Sequence, residues 1–232
     1  MQKRIFIAGG SGYMGTRLIP LLVERGHQVT ALVRQGSEKK IKANCRIVLG
    51  NALDGDSYRG QLAGCDTFIH LIGVPHPSPS KAREFIDIDL KSGQEAIRVA
   101  PLAGIRHFIY LSVAHPAPVM KAYIKVRSAC ESSLRSSGLC ATIVRPWYVL
   151  GPGHRWPLLL TPFYGIAELI PSMREGAQRL GLVTIDEMIN TLTAVTEQPA
   201  SGIKVVGVPE IRALGRLQSN KTAGSTSVRP AV

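Results

Sequence analysis

Two pairs of side chains in this sequence could transfer a proton, and each places a tyrosine four residues before an arginine. Tyr123 and Arg127 lie in the stretch AYIKVR, and Tyr13 and Arg17 repeat the spacing near the N-terminus. A phenol beside a fixed positive charge can donate a proton to a carbonyl oxygen near neutral pH. The same spacing also occurs on ordinary helix faces. The position of each pair in the fold must therefore decide its role.

The elements that position these pairs follow an alternating pattern along the chain. Six short apolar runs are separated by longer stretches of helical period; the runs are RIFIAG, QVTALV, CRIVLG, DTFIHLIG, RHFIYLS and CATIVRP. Apolar runs of this length suit strands that are covered on both faces. The repeated strand–helix order predicts an α/β fold with a doubly wound parallel sheet. A ligand then binds outside the carboxyl ends of the strands.

The domain organisation is predicted to be one main unit with a short tail. We assign residues 1–211 to one domain, in which about 147–211 form a small C-terminal portion on the substrate side. The apolar segment 157–171 is expected to serve as core or lid. Residues 212–232 are basic and rich in Ser, Thr and Gly, which predicts a disordered tail.

The composition constrains the location and the partners. The four cysteines are scattered, which favours reduced thiols over a disulfide framework or a metal site. No signal-peptide core or run of about 20 apolar residues is present, so we expect a cytoplasmic protein without a membrane span. The net charge of +12 is compatible with nucleic acid or an anionic membrane. Because aromatics are only 6%, and no basic run contains interleaved aromatics, we expect a phosphate-bearing small molecule and no nucleic acid.

The loop AGGSGYMG has the spacing of a dinucleotide-binding loop. Gly9, Gly12 and Gly15 follow the first predicted strand and open the first helix. In that context they permit a tight turn, a close backbone approach to a pyrophosphate, and close packing of the helix on the strand. A glycine-rich turn without a ligand is the alternative.

The end of the second predicted strand bears on which dinucleotide is bound. Nicotinamide-binding folds often carry Asp or Glu there to hold a ribose 2′-hydroxyl, whereas this chain has Arg34, followed by Lys39 and Lys40. A guanidinium binds a 2′-phosphate bidentately and a carboxylate would repel it. The expected cofactor is therefore NADP, with NAD as the alternative. The other interpretation of these cations is a solvated basic loop.

Several motifs in order resemble the extended and atypical short-chain dehydrogenases/reductases, on their NmrA-like and epimerase/dehydratase-like side. They are the glycine loop, GNALD at 50–54, HLIG at 70–73, YLS at 110–112 and LRSSGLCATIVRPWYVLGPG at 134–153. The resemblance covers about residues 3–210 and implies a Rossmann fold. The cofactor-binding residues that it implies, together with those argued above, are Gly9, Ser11, Gly12, Tyr13, Met14, Gly15, Arg34, Asn51, Ala52, Leu71, Ile72, Gly73, Arg127 and Pro146.

The resemblance also assigns roles to the second tyrosine pair. The family carries Tyr-x-x-x-Lys on the helix between strands five and six, where this chain has Tyr123 and Arg127. It implies that Tyr123 is the proton donor and that Arg127 holds the nicotinamide ribose. The family's catalytic serine aligns with Val113, so Ser112 is a candidate that lies one residue early.

Two hypotheses about function follow from these matches and departures. The first is a reductase of a small carbonyl or quinone-like substrate with a reduced catalytic set, acting as a monomer or homodimer. The second is a catalytically silent NADP(H)-sensing regulator or assembly factor, which the departures at Val113 and Arg127 favour. A nucleic-acid binder is a third interpretation that rests on charge alone.

Overall fold

The computed structural model describes residues 1–152 and 179–225, with side chains to residue 218. Its main sheet has seven strands, which are β1 (Arg4–Ala8), β2 (Gln28–Val33), β3 (Arg46–Leu49), β4 (Thr67–His70), β5 (His107–Leu111), β6 (Ala141–Val144) and β9 (Ile203–Val206). Strands β7 (Tyr148–Leu150) and β8 (Leu182–Thr184) pair separately as a two-stranded ribbon.

The helices fill the crossovers between the strands. They are α1 (Gly15–Glu24), α2 (Asp56–Arg59), α3 (Ala82–Glu84), α4 (Lys91–Leu102), α5 (Lys121–Ser136), α6 (Ile185–Glu197) and α7 (Val208–Ser225). A π-helical turn, Phe85–Leu90, joins α3 directly to α4. Short 3₁₀ turns occupy Glu38–Lys40, Gly60–Leu62 and Pro79–Lys81.

The strand order defines where a ligand can bind. The order is β3-β2-β1-β4-β5-β6-β9, and every neighbouring pair is parallel. The chain moves outward from β1 to β3 and then returns to the other side of β1 at β4, so the switch point lies between β1 and β4. In open α/β sheets the ligand crevice lies at this point, outside the carboxyl ends of the strands. The predicted doubly wound fold is confirmed.

The central strands of the sheet are buried on both faces, which explains the continuous apolar runs in the sequence. Ile5 and Ile7 of β1 point into one core with α1 and α6, whereas Phe6 and Ala8 point into a second core with α2, α4 and α5. All four side chains are at most 1% exposed. Alternation of side chains along a strand makes each run serve two cores at once.

The C-terminal region differs from the expected disordered tail. Residues 212–225 continue helix α7, and the first part of this helix packs against α6. Ile211 is fully buried, and the Arg212 guanidinium donates to the Leu182 carbonyl oxygen at 2.8 Å. An added Cβ at Gly215 would lie 2.6 Å from the Glu187 Cα, so the two helices approach closely. Low apolar content predicted disorder here, but a few buried contacts and one glycine suffice to dock the helix.

Two further predictions concern the segment 157–171 and the absence of a membrane span. The segment 157–171, expected to form core or lid, lies outside the described residues. Within the described ranges, no helix combines the length and apolarity that crossing a membrane requires.

Candidate dinucleotide and carbonyl site

The glycine loop joins the carboxyl end of β1 to the start of α1, as the sequence predicted. The Gly12 amide donates to the Gly9 carbonyl oxygen at 3.0 Å and closes the turn. An added Cβ at Gly15 would lie 2.5 Å from the carbonyl oxygens of both Gly9 and Gly10, so α1 packs against the loop only with glycine there. An added Cβ at Gly12 meets a single atom, the Gly9 oxygen at 3.1 Å. Gly12 thus leaves an open cradle toward the helix N-terminus, which fits a pyrophosphate.

Tyr13 of the first tyrosine–arginine pair lies in this loop, between Ser11 and α1, and Arg17 lies in the first turn of α1. The Arg17 guanidinium stacks on the Tyr13 ring, with its carbon 4.1 Å from the ring centroid, and one of its N–H groups donates to the Tyr13 carbonyl oxygen at 2.8 Å. Met14 accepts the first helical hydrogen bond, from the Leu18 amide at 2.9 Å. The pair therefore shapes the loop and lies on a different element from Tyr123 and Arg127.

The cationic residues lie at the carboxyl end of β2. Arg34 follows the strand directly and is exposed, as are Lys39 and Lys40 in the adjoining 3₁₀ turn. Among the described residues, no carboxylate forms an ion pair with Arg34, so its guanidinium can accept an anionic partner. Asn51 and Ala52 follow the neighbouring strand β3. Their place at the same sheet edge suits the adenine half of a dinucleotide.

Arg127 lies deeper than the sequence indicated. It is 2% exposed, and its guanidinium pairs with the buried carboxylate of Asp89 at 2.6 Å. The same group donates to the carbonyl oxygens of Leu111, at 2.8 Å, and Ile72, at 3.1 Å. Burial raises the pKa of the Asp89 carboxyl, and the neighbouring guanidinium opposes that effect. The guanidinium thus lies beneath the ends of β4 and β5, and a contact between Arg127 and a ribose stays a prediction.

Tyr123 stands one helical turn before Arg127 on α5. Its ring packs on Phe85 with centroids 4.9 Å apart and lies 5.1 Å from the Arg127 guanidinium carbon. The side chain is only partly buried. The structure therefore brings this phenol beside a fixed positive charge at the strand ends.

Ser112 belongs to a different group of polar side chains. Its hydroxyl donates to the Glu131 carboxylate at 2.6 Å, and Arg145 donates to both carboxylate oxygens. His115 lies 3.5 Å from the same carboxylate. Burial acts to raise the pKa of Glu131, but the hydrogen bonds from Arg145 and Ser112 prevail and lower it. The Ser112 hydroxyl is therefore hydrogen-bonded to a buried carboxylate, and Val113 beside it is also buried.

The remaining predicted contacts line the same edge of the sheet. Leu71, Ile72 and Gly73 follow β4, and Pro146 follows β6, where its carbonyl oxygen accepts from the Ala114 amide at 2.8 Å. Sequence reasoning missed Asp89 and Glu131. A signal for Asp89 was present, because it falls four residues after Phe85 on the apolar side of the predicted helix.

A glycine cradle at a helix N-terminus, beside the switch point of a parallel sheet, defines a dinucleotide-binding α/β protein. The NAD(P)H-binding family model matches residues 9–154. The chain belongs to this NAD(P)-binding family of short-chain dehydrogenase/reductase-like proteins, on its epimerase/dehydratase-like side.

Three similar proteins illustrate the family. A ceramide reductase of Caulobacter vibrioides is 25% identical over 204 residues, which are 86% of this chain and 62% of that protein. An uncharacterized sugar epimerase of Bacillus subtilis, YhfK, is 30% identical over 154 residues, covering 62% of this chain and 71% of the relative. The crystal structure of the Bordetella bronchiseptica enzyme WbmH in complex with NAD+ aligns with a TM-score of 0.67 at 21% identity, over 100% of this chain and 84% of that one. This chain thus spans less than two thirds of the length of the ceramide reductase.

Proposed function

We propose that this protein is an NADP(H)-dependent reductase of a small apolar carbonyl or quinone-like substrate. The observation that carries the proposal is the Tyr123 phenol, held beside the Arg127 guanidinium at the carboxyl ends of β4 and β5. A partly exposed phenol at this edge is suited to donate a proton to a carbonyl oxygen. The name of one relative, a ceramide reductase, supports reduction as the reaction class.

The chain's own residues would divide the work as follows. The loop around Gly12 would hold the pyrophosphate, and Arg34 would bind a 2′-phosphate. When bound, the nicotinamide cofactor supplies the hydride. Tyr123 would donate the proton that converts the reduced carbonyl oxygen into a hydroxyl. Trp147 and Tyr148, which follow β6 and pack edge to face, would provide an apolar wall for the substrate.

The preference for NADP rests on the exposed cations after β2. A charge-assisted hydrogen bond contributes about 1.5–3 kcal/mol, so NADPH should bind roughly tenfold to a hundredfold more tightly than NADH. Titration calorimetry of the parent with both cofactors measures this ratio. Arg34→Asp should reverse it, and Arg135→Asp, at an exposed position in the last turn of α5, is the matched control. Equal affinities in the parent would refute the NADP assignment.

Turnover tests the reaction itself. Purified protein should oxidise NADPH in the presence of at least one member of a panel of hydrophobic ketones, aldehydes and quinones. Tight NADPH binding without turnover across that panel would refute the reductase and favour the silent NADP(H)-sensing protein instead.

A further inference from the structure

Asp89 is a buried charge that the proposed reaction does not itself use. Its carboxylate is 0% exposed and lies in the π-helical turn Phe85–Leu90. One oxygen accepts from Arg127 at 2.6 Å, and the other accepts from the Val74 amide at 3.0 Å. A buried ion pair survives only where geometry and extra hydrogen bonds offset its desolvation. π-helical turns inside α-helices frequently occur at functional sites.

The partner guanidinium ties together the ends of two strands. Its donors reach the carbonyl oxygen of Leu111, the last residue of β5, and that of Ile72, just past β4. An added Cβ at Gly73 would lie 2.4 Å from the guanidinium, so the loop after β4 closes directly over it. Asp89 and Arg127 thus set the position of the backbone at the carboxyl ends of β4 and β5.

The same pair fixes the ring of Tyr123. Phe85 packs on Tyr123 and belongs to the same π-helical turn as Asp89. Tyr123 and Arg127 lie on successive turns of α5. Asp89 therefore pairs with Arg127, Arg127 contacts the Tyr123 ring, and Tyr123 packs on Phe85, which lies in the same turn as Asp89. A shift of any member moves the phenol relative to the strand ends.

A dinucleotide lies across the switch point between β1 and β4, so its two halves contact different strands. With the adenine half at β2 and β3, beside Arg34, the nicotinamide half lies over β4 and β5. We infer that Asp89 is a positioning residue for the nicotinamide half, acting through Arg127 on the strand ends and on Tyr123. This inference rests on the proposed function for the part that concerns Tyr123.

The test compares the whole cofactor with its adenine half. Asp89→Asn keeps the side-chain size but leaves the buried guanidinium without a counter-charge. The reduced dinucleotide that the parent prefers should lose about tenfold or more in affinity, the equivalent of one charge-assisted hydrogen bond. ADP, which carries only the adenosine and pyrophosphate, should keep its affinity within about twofold. Asp87→Asn is the matched control, because Asp87 lies in the same turn but forms an exposed pair with Arg83 at 2.9 Å.

A second variant keeps the test decisive if Asp89→Asn fails to fold. The double variant Asp89→Leu/Arg127→Met removes both charges, and apolar replacement of a buried pair is commonly tolerated. We expect it to fold and to bind ADP as the parent does, yet to bind the dinucleotide at least about tenfold more weakly. Its kcat should fall about a hundredfold, since displacement of a catalytic group by about an ångström has that effect.

The contrary outcomes are distinct. If dinucleotide affinity and kcat of the double variant match the parent, the pair is only a packing element and the inference is wrong. Equal losses for ADP and the dinucleotide would also overturn it, because they would indicate general damage. Absence of turnover in the parent would count against the reductase, while the two affinities would still decide the role of Asp89.

Discussion

Substitution by alanine should affect different properties at the two glycines that flank Tyr13 and Met14: stability at Gly15 and cofactor affinity at Gly12. In Gly15→Ala the new methyl group would start 2.5 Å from two carbonyl oxygens and 2.6 Å from the Gly10 Cα, all backbone atoms that cannot turn away. Overpacking of this kind costs about 1–3 kcal/mol. At about 2–4 °C per kcal/mol for a domain of this size, the Tm should fall by about 2–12 °C.

Gly12→Ala is the matched variant in the same loop. Its methyl group would meet only the Gly9 oxygen at 3.1 Å, so a shift of a few tenths of an ångström relieves the contact. The Tm without cofactor should stay within about 4 °C of the parent, because such a change costs less than about 1 kcal/mol. Cofactor affinity should nevertheless fall about tenfold to a hundredfold, since the methyl group fills the cradle and removes a charge-assisted contact.

Circular dichroism melts without cofactor and calorimetric titrations with NADPH separate the two effects. A parent-like Tm for Gly15→Ala would show that the helix does not pack on the loop as described. Parent-like NADPH affinity for Gly12→Ala would show that the glycine loop is only a turn.

Three other perturbations follow from the site and the C-terminal helix. Tyr123→Phe should keep NADPH affinity and reduce turnover by about 10²–10⁴-fold, with the buried Tyr58→Phe as control; unchanged kinetics would refute proton donation by Tyr123. The lowered pKa of Glu131 means that its stabilising contacts are complete above the ordinary value of 4.5 and are lost as pH falls through the lowered value. Glu131→Gln should therefore be less stable at pH 7 by about 1–3 kcal/mol, with the difference shrinking in acid melts; a constant difference would contradict the ion pair. Truncation after Ile211 should lower the Tm, because α7 loses its contacts with α6, whereas a disordered tail would leave the Tm unchanged.

The fold could be predicted because its signals are local. The central strands of the parallel sheet are covered on both faces, so their residues form uninterrupted apolar runs such as IFIA in β1. The position of Tyr123 on the helix after β5 also followed from the order of elements, and the structure confirms it. Composition predicted a disordered tail from Arg212, whereas helix α7 continues to Ser225, and its close approach at Gly215 depends on a partner helix that composition does not describe.

The polar contacts of the site depended on neighbours distant in sequence. Asp89 meets Arg127 across 38 residues, and Arg145 meets Glu131 across 14. Ser112 illustrates the difficulty, since its residue type suggested catalysis while its hydroxyl serves the Glu131 carboxylate. The local sequence pattern predicts which residues lie on each face of a helix or strand. It does not predict the hydrogen-bond partner that each polar group has once the elements pack.

Arg127 is better understood as one member of a matched set than as an altered lysine. A planar guanidinium offers several donors at fixed angles, and here they reach one carboxylate and two carbonyl oxygens at once. An ammonium could not span these acceptors from the same backbone position, and it would leave part of the set unsatisfied. The larger head in turn requires a counter-charge at Asp89 and no side chain at Gly73, where a Cβ would lie 2.4 Å from it. Arg127, Asp89 and Gly73 therefore depend on one another sterically and electrostatically. Substitution of any one of them should shift the backbone at the strand ends where the nicotinamide half is proposed to bind.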